Sequence, residues 1–232
     1  MKIVVIDYGA GNVESVLNAL FLLKGDDEIL VSNNPADLKS ANHLILPGVG
    51  AFGDCVEGLK SIEGLLPELR KQVLTEKKPF LGICVGMQVL ASVGYENGEH
   101  QGLCFINGHV EKIGANSEQM SSRSAAQRDL PLSRGMGGGF KLKIPHMGWN
   151  NIIVKPNKHA VLKDIKDGEH FYFANSFHFV CQNENNVLAQ VEYGEKLTAI
   201  VAKENIFGAQ FHPEKSGEAG LKLLKNFLNW RP

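Results

Sequence analysis

Apolar residues change their period part-way along this chain. In the first part, short apolar runs alternate with stretches of helical spacing. Lys2–Ile6 reads as a strand that closes on the turn-forming run Asp7-Tyr8-Gly9-Ala10-Gly11-Asn12. Val13–Leu23 follows with Val16, Leu17, Leu20 and Leu23 at helical spacing. Glu28–Val31 and His43–Leu46 read as the next two strands, the latter closing on Pro47-Gly48-Val49-Gly50. Leu59–Leu74 reads as helix with Pro67 as a point of break, Phe80–Ile83 as a fourth strand, and a helix begins at Met87–Ala91. Strands separated by helices require crossover connections, which predicts a parallel or mostly parallel sheet.

The second part is richer in β signals. Ile152–Val154, His170–Phe173, Phe177–Val180, Leu188–Val191, Ala199–Ala202 and Ile206–Phe211 are short β-branched or aromatic runs between turns. Ala219–Leu228 returns to helical spacing and predicts a terminal helix. Residues 115–139 fit neither period: they are rich in serine, end in Gly137-Gly138-Gly139 and read as a long mobile loop. The expectation is one α/β domain over residues 1–232, with a central, mostly parallel sheet flanked by helices, an additional β-rich part and a flexible insertion at 115–139.

Composition adds exclusions. The 232 residues carry 24 Lys+Arg against 25 Asp+Glu, a net charge of -1, so no strong field favours nucleic acid or an anionic membrane. No apolar run approaches a membrane span, and the N-terminus lacks the pattern of a signal peptide. A cytoplasmic protein with reduced thiols is expected. Cys55, Cys84, Cys104 and Cys181 form no C-x-x-C pair. Cys55, Cys104 and Cys181 read as small buried hydrophobes. The histidines outside the C-terminal motif show no H-x-x-x-H spacing, and no phosphate-loop motif is present, so neither a metal nor a cofactor is expected.

Three segments carry chemistry. Gly82-Ile83-Cys84-Val85-Gly86 follows an apolar strand and precedes a helical stretch, the G-x-nucleophile-x-G pattern of a nucleophile elbow with Cys as nucleophile. Glycines on either side remove Cβ atoms that would clash in so sharp a turn, and a helix start beneath the sulfur favours the thiolate. The backbone N–H of Val85 is then placed to face an oxyanion. A buried Cys on a core strand is the alternative. In Gln210-Phe211-His212-Pro213-Glu214-Lys215, His212 and Glu214 lie two apart and share one side of an extended segment, so Glu214 is placed to steady an imidazole that takes a proton from Cys84. Gly48, Val49 and Gly50 at a strand end allow close approach of backbone N–H groups to a ligand, as in an oxyanion hole; an ordinary turn is the alternative.

These segments, with the opening Asp7-Tyr8-Gly9-Ala10-Gly11-Asn12 and Pro145-His146-Met147-Gly148-Trp149-Asn150, resemble the class I (triad-type) glutamine amidotransferases. Within them the chain is most similar to the glutaminase subunits of imidazole glycerol phosphate synthase, from Met1 to the C-terminal helix apart from residues 115–139. The resemblance implies that Cys84, His212 and Glu214 form a triad hydrolysing glutamine, with Gln88, Glu96 and Ser176 holding its α-amino and carboxylate groups. It implies a (β/α)₈-barrel cyclase as partner, receiving ammonia in histidine biosynthesis, with Asn12, Trp149, Tyr172 and Lys215 at the docking face. Core packing is the alternative for Trp149.

Two departures stand out. Asn175 occupies a position where these subunits usually have His, and an amide cannot carry a proton. The 115–139 insertion is absent from the compact pattern. Other readings remain open: a related subunit feeding a barrel in sugar or polysaccharide amination, a non-catalytic docking module, and a stand-alone thiol hydrolase.

Overall fold

A computed structural model describes every residue except 10, 11, 24, 116–142, 157 and 158. From residue 116 on, the predicted insertion lies outside the described residues.

The longest apolar runs build the centre of the sheet. β1 (Lys2–Ile6), β3 (His43–Gly48) and β4 (Phe80–Cys84) are almost wholly buried, as strands covered on both faces must be. β2 (Glu28–Ser32) forms one edge. The final strand, β13 (Ile206–Ala209), pairs parallel to β4 with Ala209 opposite Ile83, although more than a hundred residues separate them in sequence. The sheet then continues antiparallel through β12 (Lys196–Lys203), β11 (Val187–Glu192), β8 (His146–Val154) and β9 (His170–Asn175), in the order β2-β1-β3-β4-β13-β12-β11-β8-β9. The large sheet is therefore mixed, with a five-stranded parallel half and a four-stranded antiparallel extension. A second, four-stranded sheet contains β10 (Phe177–Cys181), β7 (Gly108–Lys112), β5 (Val93–Gly94) and β6 (His100–Gln101). The chain passes from β9 into β10 through the single residue Ser176, so the two sheets meet there.

The helices depart from expectation in instructive ways. α1 (Val13–Leu23) matches its prediction. The predicted Leu59–Leu74 helix is instead two helices, α3 (Phe52–Ser61) and α4 (Leu65–Arg70), followed by a π turn at Lys71–Thr75. The break falls at Gly64, whose φ of +75 suits glycine, and not at Pro67. Pro67 sits in the first turn of α4, where a missing N–H costs nothing. α2 (Pro35–Ser40) has no counterpart in the predicted elements, though Asn34 accepts from the Ala36 N–H as an N-cap and Pro35 opens the helix. The helix expected from Met87 is the short α5 (Val85–Gln88). α6 (Gly217–Asn229) buries Leu223, Leu224, Phe227 and Leu228.

One cysteine assignment is corrected. Cys55 and Cys181 are buried, but Cys104 is exposed: its φ of +57 turns it outward between the buried Leu103 and Phe105. Among the described residues no helix is long and apolar enough to cross a membrane.

Candidate active site

Cys84 ends β4 and begins α5, with φ 54 and ψ -112. For a residue with a Cβ such a conformation costs of order 1–3 kcal/mol and persists only where its surroundings impose it. They do so here through glycines. A Cβ on Gly86 would lie 2.0 Å from the Leu46 carbonyl oxygen. One on Gly82 would lie 2.4 Å from the Gly86 carbonyl oxygen, and one on Gly48 2.4 Å from the Gly86 nitrogen. The elbow is thus clamped between β3 and β4, and Gly48 serves as the seat on which it rests. Cys84 is only 4% exposed, but that small opening faces a cavity of about 270 Å³.

His212 approaches the same cavity from the strand beside β4. Its backbone is extended (φ -97, ψ 94), and Pro213 then starts a 3-10 turn, Pro213–Lys215. The expected extended His212–Glu214 segment therefore stops at His212. The proline's fixed φ starts a turn, and the turn carries Glu214 round to the imidazole. His212 Nδ1 and Glu214 Oε1 are 2.8 Å apart, with side chains 5% and 1% exposed. Ser216 Oγ donates to the His212 carbonyl at 2.6 Å, and the His212 N–H donates to the Tyr172 carbonyl at 2.9 Å. Burial acts to lower the His212 pKa, but hydrogen bonds with Cys84 and Glu214, and their charges, outweigh it and push the imidazole from 6.5 up to about 9. That is a base strong enough to take a thiol proton. By contrast, burial pushes the Cys55 thiol up to about 12, which leaves it inert.

A nucleophile on an elbow, a histidine behind it and a carboxylate behind the histidine form the arrangement used for acyl transfer. The sequence model of the family Glutamine amidotransferase class-I matches residues 4–230. The chain is a class-I glutamine amidotransferase. This amidotransferase is 43% identical over 236 residues to the imidazole glycerol phosphate synthase subunit HisH of Rhodospirillum rubrum, covering 100% of both chains. It is also 43% identical over 232 residues to the HisH subunit of Zymomonas mobilis, covering 99% of this chain and 96% of that one. A solved glutamine amidotransferase shares its fold at a TM-score of 0.66, with 20% identity and 97% of each chain covered. PurLQS from Thermotoga maritima does so at 0.65, with 20% identity, covering 98% of this chain and 97% of that one.

In this amidotransferase the cavity collects most of the remaining candidates. Val49, Gly50, Val85, Gln88, Glu96 and Ser176 line it together with Cys84. Glu96 reaches it because its Oε2 accepts the Phe52 N–H at 2.8 Å, capping α3, whose N-cap Ala51 offers no side-chain acceptor. Ser176 is the bend between β9 and β10. Gly48 and Glu214 do not line the cavity: one supports the elbow and the other stands behind His212.

Two of the candidate docking residues pair across β8 and β9. Trp149 and Tyr172 sit directly opposite in the β8–β9 pair and meet edge to face, with ring centroids 6.2 Å apart. Trp149 is 57% exposed, which removes the core-packing alternative, and Met147, two residues earlier in the same strand, is 65% exposed. Lys215 is exposed and reaches the cavity rim. Asn12 precedes α1 and accepts from Ser15 Oγ at 2.8 Å. Tyr172 connects this face to the catalytic side, because its N–H donates to Ser216 Oγ and its carbonyl accepts from the His212 N–H.

Gln210 has no role in the sequence reading, although it opens the His212 motif. Its side chain is buried behind Cys84, and its Nε2 lies 3.7 Å from the sulfur. No local signal in the sequence singles it out, because its place beside Cys84 depends on the pairing of β13 with β4.

Proposed function

We infer that this chain is the glutaminase subunit of an imidazole glycerol phosphate synthase. Cys84 Sγ attacks the γ-carboxamide carbon of glutamine while His212, oriented by Glu214, takes the thiol proton. Backbone N–H groups of Val49, Gly50 and Val85 serve the oxyanion, each donor worth about 3 kcal/mol in such sites. As the tetrahedral intermediate collapses, the C–N bond breaks and His212 returns the proton to the departing ammonia, leaving a γ-glutamyl thioester. A water, deprotonated by His212, hydrolyses it to glutamate and restores the thiol. Gln88, Glu96 and Ser176 hold the α-amino and carboxylate groups of the substrate. The single observation that carries this reading is His212 lining the same cavity as Cys84 with its Nδ1 2.8 Å from Glu214 Oε1.

The name shared by relatives matching the whole chain supports a cyclase partner, and a (β/α)₈ barrel is the expected form. Ammonia passes to it for histidine biosynthesis. Exposed Trp149, with Tyr172, Asn12 and Lys215, forms the docking face; large aromatics make effective anchors. Four free thiols fit a cytoplasmic setting. The test is glutamine hydrolysis with and without the cyclase subunit and its nucleotide substrate. A marked increase with the pair is expected, and Cys84→Ala should abolish glutamine use while leaving ammonia-dependent synthesis. No stimulation by that cyclase would overturn the assignment of partner.

A further inference from the structure

We propose that Gln210 is a positioning residue for the nucleophile, holding Cys84 Sγ at the end of a directed chain of amide hydrogen bonds; this rests on Cys84 acting as proposed above. The register places it there. β13 runs parallel to β4 with Ala209 opposite Ile83, so the next residue on one strand, Gln210, comes beside the next on the other, Cys84. The Gln210 backbone N–H is fixed to the Ala199 carbonyl at 2.9 Å, and the residue is 1% exposed.

The direction of the chain follows from which groups can donate. The Phe177 carbonyl only accepts, so the amide of Gln88, 2% exposed, must turn its Nε2 toward it, at 3.0 Å. The same Nε2 lies 3.0 Å from Gln210 Oε1 and donates its second proton there. With its oxygen thus engaged, Gln210 turns its own Nε2 toward Cys84 Sγ, at 3.7 Å. An Asn175 N–H donates to the same Phe177 carbonyl at 3.0 Å, so the chain begins where β9 meets β10 and ends on the sulfur. Its direction matters, because an N–H presented to a reacting sulfur makes a charge-assisted hydrogen bond that fixes the side chain on the His212 side of the elbow. An accepting oxygen there would do the opposite.

Two variants read this contact. Gln210→Met keeps the length and removes both the donor to Cys84 Sγ and the acceptor for Gln88 Nε2, so the KM arm is read on Gln210→Glu. Gln210→Glu keeps an oxygen for Gln88 and turns a carboxylate oxygen toward the sulfur. The measurement is the rate of alkylation by iodoacetamide at Cys84, mapped by peptide mass on the full chain, with glutamine kinetics of the complex alongside. Gln210→Met should slow alkylation at Cys84 by about 10-fold, the lower end for a hydrogen bond to a charged group. Gln210→Glu should slow it further, and kcat should fall in parallel while KM for glutamine stays within about 2-fold. Unchanged alkylation in a folded variant would overturn the proposal, as would a raised KM with kcat retained. If Gln210→Met does not fold, Gln210→Glu decides alone; loss of folding in both would make Gln210 a core residue and overturn it too. The failures are separable: an active Cys84→Ala chain refutes the nucleophile, whereas alkylation reports the Gln210–Cys84 contact whatever the reaction.

Discussion

Glu214→Gln is the substitution that isolates the electrostatic part of the site. The side chain is 1% exposed and its Oε1 is 2.8 Å from His212 Nδ1, so an amide of the same shape keeps the contact and loses the charge. The imidazole is held at about 9 by Cys84 and Glu214 together, against burial. Taking it from there back to the ordinary 6.5 corresponds to about 3 kcal/mol, and Glu214 supplies part of that interval. Base strength in the reaction should fall accordingly, giving a loss in kcat between about 10-fold and 300-fold. Glu214 does not line the cavity that holds Cys84, so KM should change little. The assay is glutamate release by the complex at saturating and limiting glutamine. A kcat within about 3-fold of the unaltered chain would refute the role given to this carboxylate, and a rise in KM alone would move Glu214 into substrate binding.

Three further outcomes follow from the same contacts. His212, raised to about 9, contributes stability that is complete below 6.5 and lost as pH rises through 9, while His43 and His146, lowered to about 4 chiefly by burial, contribute stability that is lost as pH falls from 6.5 toward 4. Thermal melts across this range should therefore peak near neutrality, and a flat profile would contradict both assignments. Gly86→Ala, whose Cβ would sit 2.0 Å from the Leu46 oxygen, should lose about 3 kcal/mol in urea denaturation together with its activity; an unchanged midpoint would contradict the clamp on the elbow. Trp149→Ala should leave the melting of the free chain nearly unchanged, since the side chain is 57% exposed, and weaken cyclase binding by about 30-fold in calorimetry; full affinity would remove Trp149 from the docking face.

The parts of this molecule that could be read from sequence are those governed by local rules. Continuous apolar runs marked the central strands, and Gly82 and Gly86 marked the elbow, because each signal acts within a few residues. His212 Nδ1 and Glu214 Oε1 meet at 2.8 Å by a different local geometry: the proline makes a turn where the sequence predicts an extended segment. What could not be read depends on long-range register. Nothing local says that β13 will lie beside β4, and without that neighbour Gln210 is only a residue ahead of a motif. β7 escaped for a related reason, since Gly108–Lys112 buries only Val110 fully and its polar sequence is stabilised by pairing with β10. The exposure of Trp149 was likewise undecidable, because a tryptophan in a strand suits either a core or a partner until the neighbouring strand is known.

The most direct measurement of the nucleophile's identity is covalent capture. A glutamine analogue bearing a chloroketone in place of the carboxamide, incubated with the complex and followed by peptide mass mapping, should modify Cys84 with loss of glutamine-dependent activity, and excess glutamine should prevent it. Label on exposed Cys104 with Cys84 untouched, or modification of Cys84 that glutamine does not slow, would contradict a catalytic thiol at this elbow.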